Sequence, residues 1–344
     1  MTPPVPPRLK VVIAGGSGQV GQALVPVLDA AGHDVVILSR NPAAGAARTV
    51  VWDGRTVGRW AEEVDGADVV LNLAGRSVNC RYHAANRREI LDSRVNATLA
   101  AGNAIAQAGQ PPRVWLQAST ATIYAHRHDA ANDEHTGILG GAEPDVPATW
   151  RFSTDVARAW EAAAEQFDFP RTRLVLLRSA MVMSPSPGGI FSTLLGLVRR
   201  GLGGPVAGGR QYVSWIHHDD FARALLWLVD RDELRGAVNI SAPAPVPQAE
   251  FMRDLRAAWG IGVGLPATRW MAEIGAFAMR TETELVLKSR RVVPTRLLES
   301  GFTFRHPSWR RAAEDLCSAW REARPPRPGP ATSSSEGPSG SASS

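Results

Sequence analysis

The 344-residue sequence contains few cysteines and lacks any long apolar run. Its two cysteines, Cys80 and Cys317, lie far apart and fit neither a metal-binding spacing nor a disulfide framework, so we expect reduced thiols and no metal site. No stretch of about 18 uninterrupted apolar residues is present, and residues 1–7 are rich in proline rather than forming a charged and then apolar leader. These absences predict a globular cytoplasmic protein without a membrane partner.

Lysine is also nearly absent. The chain carries 38 basic and 33 acidic residues, yet only Lys10 and Lys288 are lysines. Paired arginines such as Arg87 and Arg88 have no interleaved stacking aromatics, and no helix-turn-helix pattern accompanies them, so we predict no nucleic-acid partner.

A glycine-rich turn follows the first apolar segment, residues 10–14. Its predicted cofactor contacts are Gly15, Ser17, Gly18, Gln19, Val20 and Gly21. Glycine lets the backbone N–H groups approach a diphosphate and lets the next helix pack closely on the strand. Gly16, Gly18 and Gly21 fit the ordinary dehydrogenase pattern, whereas Gly15, Gly18 and Gly21 fit that of short-chain dehydrogenases. Both patterns predict a dinucleotide site, and the glycines alone leave the choice open.

The second predicted strand, residues 34–38, is followed by Ser39 and Arg40 rather than by an acidic residue. A carboxylate at this point binds the ribose hydroxyls of NAD, whereas an arginine accommodates the additional phosphate of NADP. Arg40 therefore favours NADP(H), the alternative being a solvated arginine at the start of a loop. A flavin or structural nucleotide site is a weaker alternative, against which Arg40 also argues.

Strand-like and helix-like segments alternate through the first half of the chain, which predicts an α/β fold with a Rossmann-type doubly wound parallel sheet. After about residue 183 the pattern loosens, which predicts a smaller interleaved C-terminal lobe. The predicted strands are 49–52, 67–73, 113–118 and 173–177, and the predicted long helices are 86–107 and 152–167. The predicted organisation is a leader at 1–8, a nucleotide-binding lobe at 9–185 with a return strand at about 236–242, a second lobe at 186–235 and 243–320, and a disordered tail at 321–344.

Several sequence blocks narrow the class further. The glycine turn, Asn72-Leu73-Ala74-Gly75 and the segment from Ser119 to Tyr124 occur in the order found in extended short-chain dehydrogenases. Together with Trp160-Glu161, Gly201-Leu202-Gly203-Gly204-Pro205 and Ser214-Trp215-Ile216-His217, they resemble the atypical epimerase family related to SDR39U-type proteins, which is NAD-dependent epimerase/dehydratase-like with a C-terminal domain of unknown function. The likeness runs over residues 10–320.

The resemblance implies further NADP(H) contacts. Ser39 and Arg40 would hold the phosphate on the adenosine ribose. Leu73, Ala74 and Gly75 would line the part of the site between the adenine and the ribose. Glu89 and Arg94 would reach the cofactor from the long helix, and Val182 would lie near the nicotinamide. For Arg94 the alternative is a surface arginine.

The standard catalytic pair of this superfamily, a tyrosine with a lysine four residues later, does not occur in the sequence. Tyr82, Tyr124 and Tyr212 are followed at that spacing by Asn86, His128 and Ile216. The main catalytic candidates that remain are Ser119 and Thr120, whose hydroxyls follow the predicted strand at 113–118, and Tyr124, with His126 and His217 as weaker alternatives. An equally weighted alternative for Ser119 and Thr120 is the capping of a strand end.

These observations predict an NADP(H)-binding atypical short-chain dehydrogenase/reductase. It would be an oxidoreductase or epimerase acting on an unknown small carbonyl or sugar-like substrate. The alternative is a catalytically quiet NADP(H)-binding protein that senses redox state and interacts with partners. The resemblance also implies a homodimer formed through the two long helices, the alternative being that Trp160 belongs to the core of a single chain.

Overall fold

The computed structural model describes residues 8–41, 47–143, 146–271, 273 and 282–323. The predicted tail from residue 324 onward and nearly all of the predicted leader lie outside the described residues.

A seven-stranded parallel sheet forms the centre of the protein, and it confirms the predicted α/β class. Its strands, in spatial order, are β3 (Arg48–Val51), β2 (Asp34–Ser39), β1 (Lys10–Ala14), β4 (Val69–Asn72), β5 (Val114–Thr120), β6 (Arg173–Ser179) and β10 (Gly236–Ile240). The strand order reverses beside β1, which pairs with β2 on one side and β4 on the other. Ligands of open parallel sheets bind at such a switch point, beyond the carboxyl ends of the strands.

In the part of the chain that the structure describes, four short strands lie outside this sheet. They form two small pairs, β7 (Met181–Met183) with β9 (Trp215–His217), and β8 (Tyr212–Val213) with β11 (Val246–Pro247).

Helices cover both faces of the central sheet, which explains why its strands are apolar on both sides. On one face α2 (Ala84–Gln107) packs against α3 (Ala148–Glu165), and on the other α1 (Gln19–Ala30) packs against α5 (His218–Val229). Further helices in the described ranges include α4 (Ile190–Arg199), α6 (Gln248–Trp259), α7 (Glu284–Leu287), α8 (Thr295–Glu299) and α9 (Trp309–Glu322), with short 3-10 turns at Arg59–Glu63 and Ala121–Ile123. None of the helices in the described ranges is both long and apolar enough to cross a bilayer.

A second apolar core lies away from the sheet, between α4, α6 and α9. Trp309 lies at its centre, with its ring stacked on Phe251 at 3.8 Å between centroids and edge-on to Trp215 at 5.1 Å. Its indole N–H donates to the carbonyl of Phe251, so this buried polar atom is satisfied. The predicted division of the chain into two lobes stays a prediction.

Most predicted elements agree with the structure to within one or two residues. The largest difference is α3, which begins at Ala148, directly after Pro147, rather than at residue 152. Proline is well tolerated before the first helical turn because its missing N–H would have no partner inside the helix.

Candidate functional site

Two adjoining cavities open at the carboxyl edge of the sheet. The larger has a volume of about 770 Å³ and lies over the ends of β1, β2 and β4, whereas the smaller, of about 320 Å³, lies over the ends of β5 and β6. Leu73, directly after β4, lines both. We call the larger the adenosine-side cavity, after the part of the cofactor that the sequence predicts there, and the smaller the strand-5 cavity.

The glycine turn forms the floor of the adenosine-side cavity. Gly15 has φ +75°, and a Cβ built on it would lie 2.9 Å from the backbone of Ala74. A Cβ on Gly21 would collide with the backbone of Gly16, so α1 can approach the turn only without a side chain there. Gly18 caps α1 without a side-chain hydrogen bond, which leaves N–H groups of the first turn available to an anion.

Ser39 and Arg40 lie where the sequence predicts them, at the end of β2 and lining the same cavity. The Ser39 hydroxyl lies 3.0 Å from that of Ser17 and also contacts the carbonyl of Asn41 at 3.0 Å, so it joins the glycine turn to this strand end. Arg40 is exposed. Within the described chain, its guanidinium has no ion-pair partner.

A buried amide network holds the loop after β4. Asn72 is fully buried, and its side-chain amide donates to Gln117 Oε1 at 2.9 Å. Its carbonyl oxygen accepts from the backbone N–H of Ala74 at 3.0 Å. Leu73, Ala74 and Gly75 are thereby fixed against the cavity, and their contact with a cofactor stays a prediction.

Glu89 also lines the adenosine-side cavity, but it forms an ion pair with Arg76.

The loop after β3, which supplies Trp52, Asp53, Gly54 and Arg55, was not predicted from the sequence to belong to this site. The pairing of β3 with β2 could have indicated it, because neighbouring parallel strands end at the same edge.

Arg94 projects from α2 into the strand-5 cavity, where Gln19, Val20 and Val182 also lie. Its Nη1 donates to the carbonyls of Arg76 and Ile90, both at 3.0 Å, and its guanidinium lies 4.9 Å from the ring centre of Trp160. Burial lowers the pKa of Arg94 to about 10, so the group remains charged at neutral pH. Gly21, by contrast, lies behind the turn and lines neither cavity.

Ser119 lines the strand-5 cavity from the end of β5 and is 5 % exposed. Its hydroxyl donates to Glu161 Oε1 at 2.5 Å. Arg178 holds the same carboxylate through both oxygens, from Nε at 2.9 Å and from Nη2 at 2.8 Å. Burial alone would lower the pKa of Arg178, but the hydrogen bonds and negative charge of Glu161 raise it above its ordinary value.

Thr120 lines the same cavity, and its hydroxyl oxygen accepts from the backbone N–H of Thr122 at 3.2 Å.

The structure does not bring Tyr124 to either cavity. Its ring is 2 % exposed, and its hydroxyl donates to Asn239 at 2.9 Å and accepts from Arg178 at 3.1 Å. Burial raises the pKa of this phenol, and every contact of its oxygen is inside the protein.

Comparison with known proteins supports the arrangement. Residues 11–241 match the model of the NAD dependent epimerase/dehydratase family, and residues 267–316 match a domain of unknown function, DUF1731. The chain belongs to the NAD dependent epimerase/dehydratase family. This confirms the resemblance to atypical extended short-chain dehydrogenases.

Similar proteins include the epimerase family protein SDR39U1 of Bos taurus, which is 33% identical over 312 residues and spans 90% of this chain and 99% of the relative. Epimerase family protein ML0860 of Mycobacterium leprae is 31% identical over 303 residues, covering 86% and 92%. A crystal structure of human SDR39U1 with NADPH superposes with a TM-score of 0.78 at 30% identity, covering 90% of this chain and 99% of that one. A nucleoside-diphosphate sugar epimerase from Corynebacterium glutamicum gives a TM-score of 0.70 at 27% identity, covering 91% of this chain and 59% of that one.

Proposed function

We propose that this protein binds NADPH across the two cavities. The diphosphate would lie on the turn from Gly15 to Gly18, the phosphate on the adenosine ribose beside Ser39 and Arg40, and the nicotinamide in the strand-5 cavity near Val182. The observation that carries this proposal is Arg40, an exposed arginine without an ion-pair partner in the described chain, at the strand end where an NAD enzyme has a carboxylate. The NADPH-bound structure of the human relative supports the same assignment.

The carboxylates of this cavity are already engaged, which also favours NADPH over NADH. Glu89 is paired with Arg76. Asp53 accepts three hydrogen bonds from its own loop, from the N–H groups of Arg55 and Thr56 and from the Thr56 hydroxyl. Neither carboxylate is therefore placed as a free acceptor for ribose hydroxyls.

Calorimetric titration of the full chain with NADPH and with NADH tests this assignment. We expect the wild type to prefer NADPH, and Arg40→Ala to weaken NADPH binding by about tenfold or more with little effect on NADH, since a charge-assisted contact is worth about 1.5–3 kcal/mol. Arg171→Ala is the matched control, because Arg171 is an exposed arginine just before β6, at the opposite edge of the sheet. A wild type that binds neither nucleotide contradicts the proposal.

For the reaction we propose an oxidoreductase or epimerase that acts on a small carbonyl or sugar-like compound, with NADPH as hydride donor or NADP⁺ as hydride acceptor. Ser119 and Thr120 offer the cavity one hydrogen-bond acceptor and one hydrogen-bond donor. The Ser119 proton is committed to Glu161, so its oxygen is placed to accept from a substrate hydroxyl. The Thr120 oxygen already accepts from Thr122, so its O–H is free to donate to a substrate carbonyl.

Incubation with NADPH and a panel of aldehydes, ketones and sugar nucleotides, followed by loss of NADPH absorbance and by product analysis, tests this chemistry. We expect Thr120→Val and Ser119→Ala each to lower turnover by about 10²-fold without weakening NADPH binding, as removal of one polarising or proton-transferring group commonly does. Equal turnover in both variants and the wild type contradicts the assignment.

A catalytically quiet NADP(H)-binding protein is the second candidate. The sequence favours it because Phe152 and Val156 occupy the spacing of the standard tyrosine and lysine, and neither side chain can transfer a proton. This candidate predicts NADPH binding without turnover, together with partners that are captured only with the cofactor or only without it. Capture of the same partners under both conditions contradicts it.

The predicted homodimer through α2 and α3 also stays a proposal. Trp160, at the centre of α3, is 7 % exposed, and its indole N–H donates to Thr98 of α2 at 3.1 Å, so within one chain it joins the two helices. Light scattering of the purified protein would measure its mass in solution. A monomer mass across the accessible concentrations would contradict the dimer.

A further inference from the structure

The loop after β3 carries a second arginine, Arg55, into the adenosine-side cavity that also contains Arg40. The two residues lie 15 positions apart in the sequence, but the pairing of β2 with β3 brings their loops together. Ser39 pairs with Val51 in the register of the two strands, and the N–H of Trp52 donates to the carbonyl of Ser39 at 3.2 Å. The loops that carry Arg40 and Arg55 thus leave two neighbouring strands at the same edge of the sheet.

The conformation of the loop after β3 is fixed by its own contacts. Trp52 is 4 % exposed and packs edge-on against Trp60 at 5.3 Å between ring centres, which anchors the start of the loop in the core. Gly54 has φ +73°, a turn conformation that side chains rarely adopt. Asp53 Oδ1 accepts from the backbone N–H of Arg55 at 2.8 Å and of Thr56 at 2.9 Å. The backbone that carries Arg55 is therefore held in place before any ligand binds.

No side chain that the structure describes neutralises the charge of Arg55. Its side chain is exposed, and among the described residues it has no ion-pair partner. Asp53 is the nearest acidic residue in sequence, and the N–H and hydroxyl donors of its own loop occupy its oxygens. Two guanidinium groups that line one cavity, neither of them paired with a carboxylate of the described residues, suit a dianionic ligand, such as a phosphate monoester.

We infer that Arg55 is a second recognition residue for the phosphate on the adenosine ribose of NADPH, and that with Arg40 it sets the preference for NADPH over NADH. This inference rests on the proposed NADPH binding. Arg55 donates from the loop after β3 and Arg40 from the loop after β2, so the phosphate is held from two sides. A ligand without this phosphate gains nothing from Arg55.

The test uses the full chain with two small probes, 2′,5′-ADP, which carries the phosphate, and 5′-AMP, which does not. We expect Arg55→Ala to weaken 2′,5′-ADP and NADPH by about tenfold and to leave 5′-AMP and NADH within about twofold. Arg55→Lys should recover part of the loss, because it restores the charge but not the bidentate fork. Affinity of the wild type for 2′,5′-ADP should also fall with added salt more steeply than that of Arg55→Ala.

Arg59→Ala is the matched control. Arg59 is an exposed arginine four residues further along, at the start of the 3-10 turn, and it does not line the cavity. If Arg55→Ala keeps the wild-type preference for 2′,5′-ADP, or weakens both probes equally, the inference is wrong although NADPH binding stands. If the wild-type protein binds neither 2′,5′-ADP nor NADPH, the proposed function itself fails, and this inference fails with it.

Discussion

The hydroxyl of Ser119 donates to a carboxylate oxygen of Glu161, so a buried charge on α3 is joined directly to the wall of the strand-5 cavity. Arg178 holds that carboxylate from β6 through two further hydrogen bonds. The three side chains come from three different elements and fix one another. The Ser119 oxygen is therefore presented to the cavity in a defined orientation, with its proton directed away from a ligand.

Removing the charge of Glu161 should destabilise the protein strongly. Glu161→Gln leaves the guanidinium of Arg178, whose side chain is 12% exposed, without its counter-charge. We expect the free energy of unfolding to fall by about 3–5 kcal/mol, measured by urea denaturation. The control is Glu314→Gln, which breaks an exposed pair with Arg310 on α9 and should cost less than about 1 kcal/mol. Similar losses of unfolding free energy in the two variants would show that the buried ion pair stabilises the protein no more than the exposed one.

Adding a methyl group at Gly21 should be far more harmful than adding one at an open glycine. A Cβ there meets the backbone of Gly16, which cannot move without displacing the glycine turn. We expect Gly21→Ala to lose about 3 kcal/mol of unfolding free energy and to weaken NADPH binding. Gly262→Ala, with nothing within 4 Å of its Cβ, should stay within about 1 kcal/mol of the wild type. A Gly21→Ala variant with the stability and NADPH affinity of the wild type would contradict the close packing of α1 on the turn.

The loop that carries Leu73 and Ala74 depends on the buried amide of Asn72. Asn72→Leu removes the acceptor of the Ala74 N–H, which is half-buried, and the donor to Gln117, which is fully buried. We expect a loss of about 2–4 kcal/mol in unfolding free energy and weaker NADPH binding. Asn103→Leu, at an exposed position of α2, should change neither quantity appreciably. Retained NADPH affinity in a folded Asn72→Leu would show that the loop is held in another way.

Acid should destabilise the protein through His217. This imidazole is 1 % exposed, and its Nδ1 accepts from the N–H of Asp219 at the start of α5. Burial and the neighbouring imidazoles of His218 and His306 lower the pKa of His217 to about 4, against the attraction of Asp219 and Asp315. The folded state therefore resists a proton that the unfolded chain accepts at its ordinary pKa of 6.5.

The unfolding free energy should consequently be unaffected by His217 above about pH 6.5 and should fall by up to about 3 kcal/mol as the pH decreases toward 4. Denaturant titrations across this range measure the effect. His217→Asn keeps an acceptor at the helix cap but cannot titrate, so its stability should decline less steeply. Parallel pH curves for the two proteins would assign the acid sensitivity to other groups.

The sequence predicted the central fold, and most of its candidate cofactor residues line the two cavities, because both depend on local patterns. The apolar runs that became β1 and β2 and the glycine turn between β1 and α1 can each be found within a few neighbouring residues. The placement of Arg55 and the joining of Ser119 to Glu161 and Arg178 depend instead on which strands and helices become neighbours. Tyr124 illustrates the same limit, since its closeness to Ser119 in sequence made it a candidate, whereas the structure turns its hydroxyl toward Asn239.

The last strand of the sheet, β10, is contributed by a segment that follows α4 and α5. It pairs with β6 through five residues, Gly236 to Ile240, and its Asn239 anchors the Tyr124 hydroxyl. A fragment that stopped at residue 185 would keep every glycine of the cofactor turn but would leave β6 as an unprotected edge, a template for intermolecular pairing. We therefore expect that the proposed nucleotide site cannot be isolated as a self-contained N-terminal module, and that any excised version must carry the chain at least through β10.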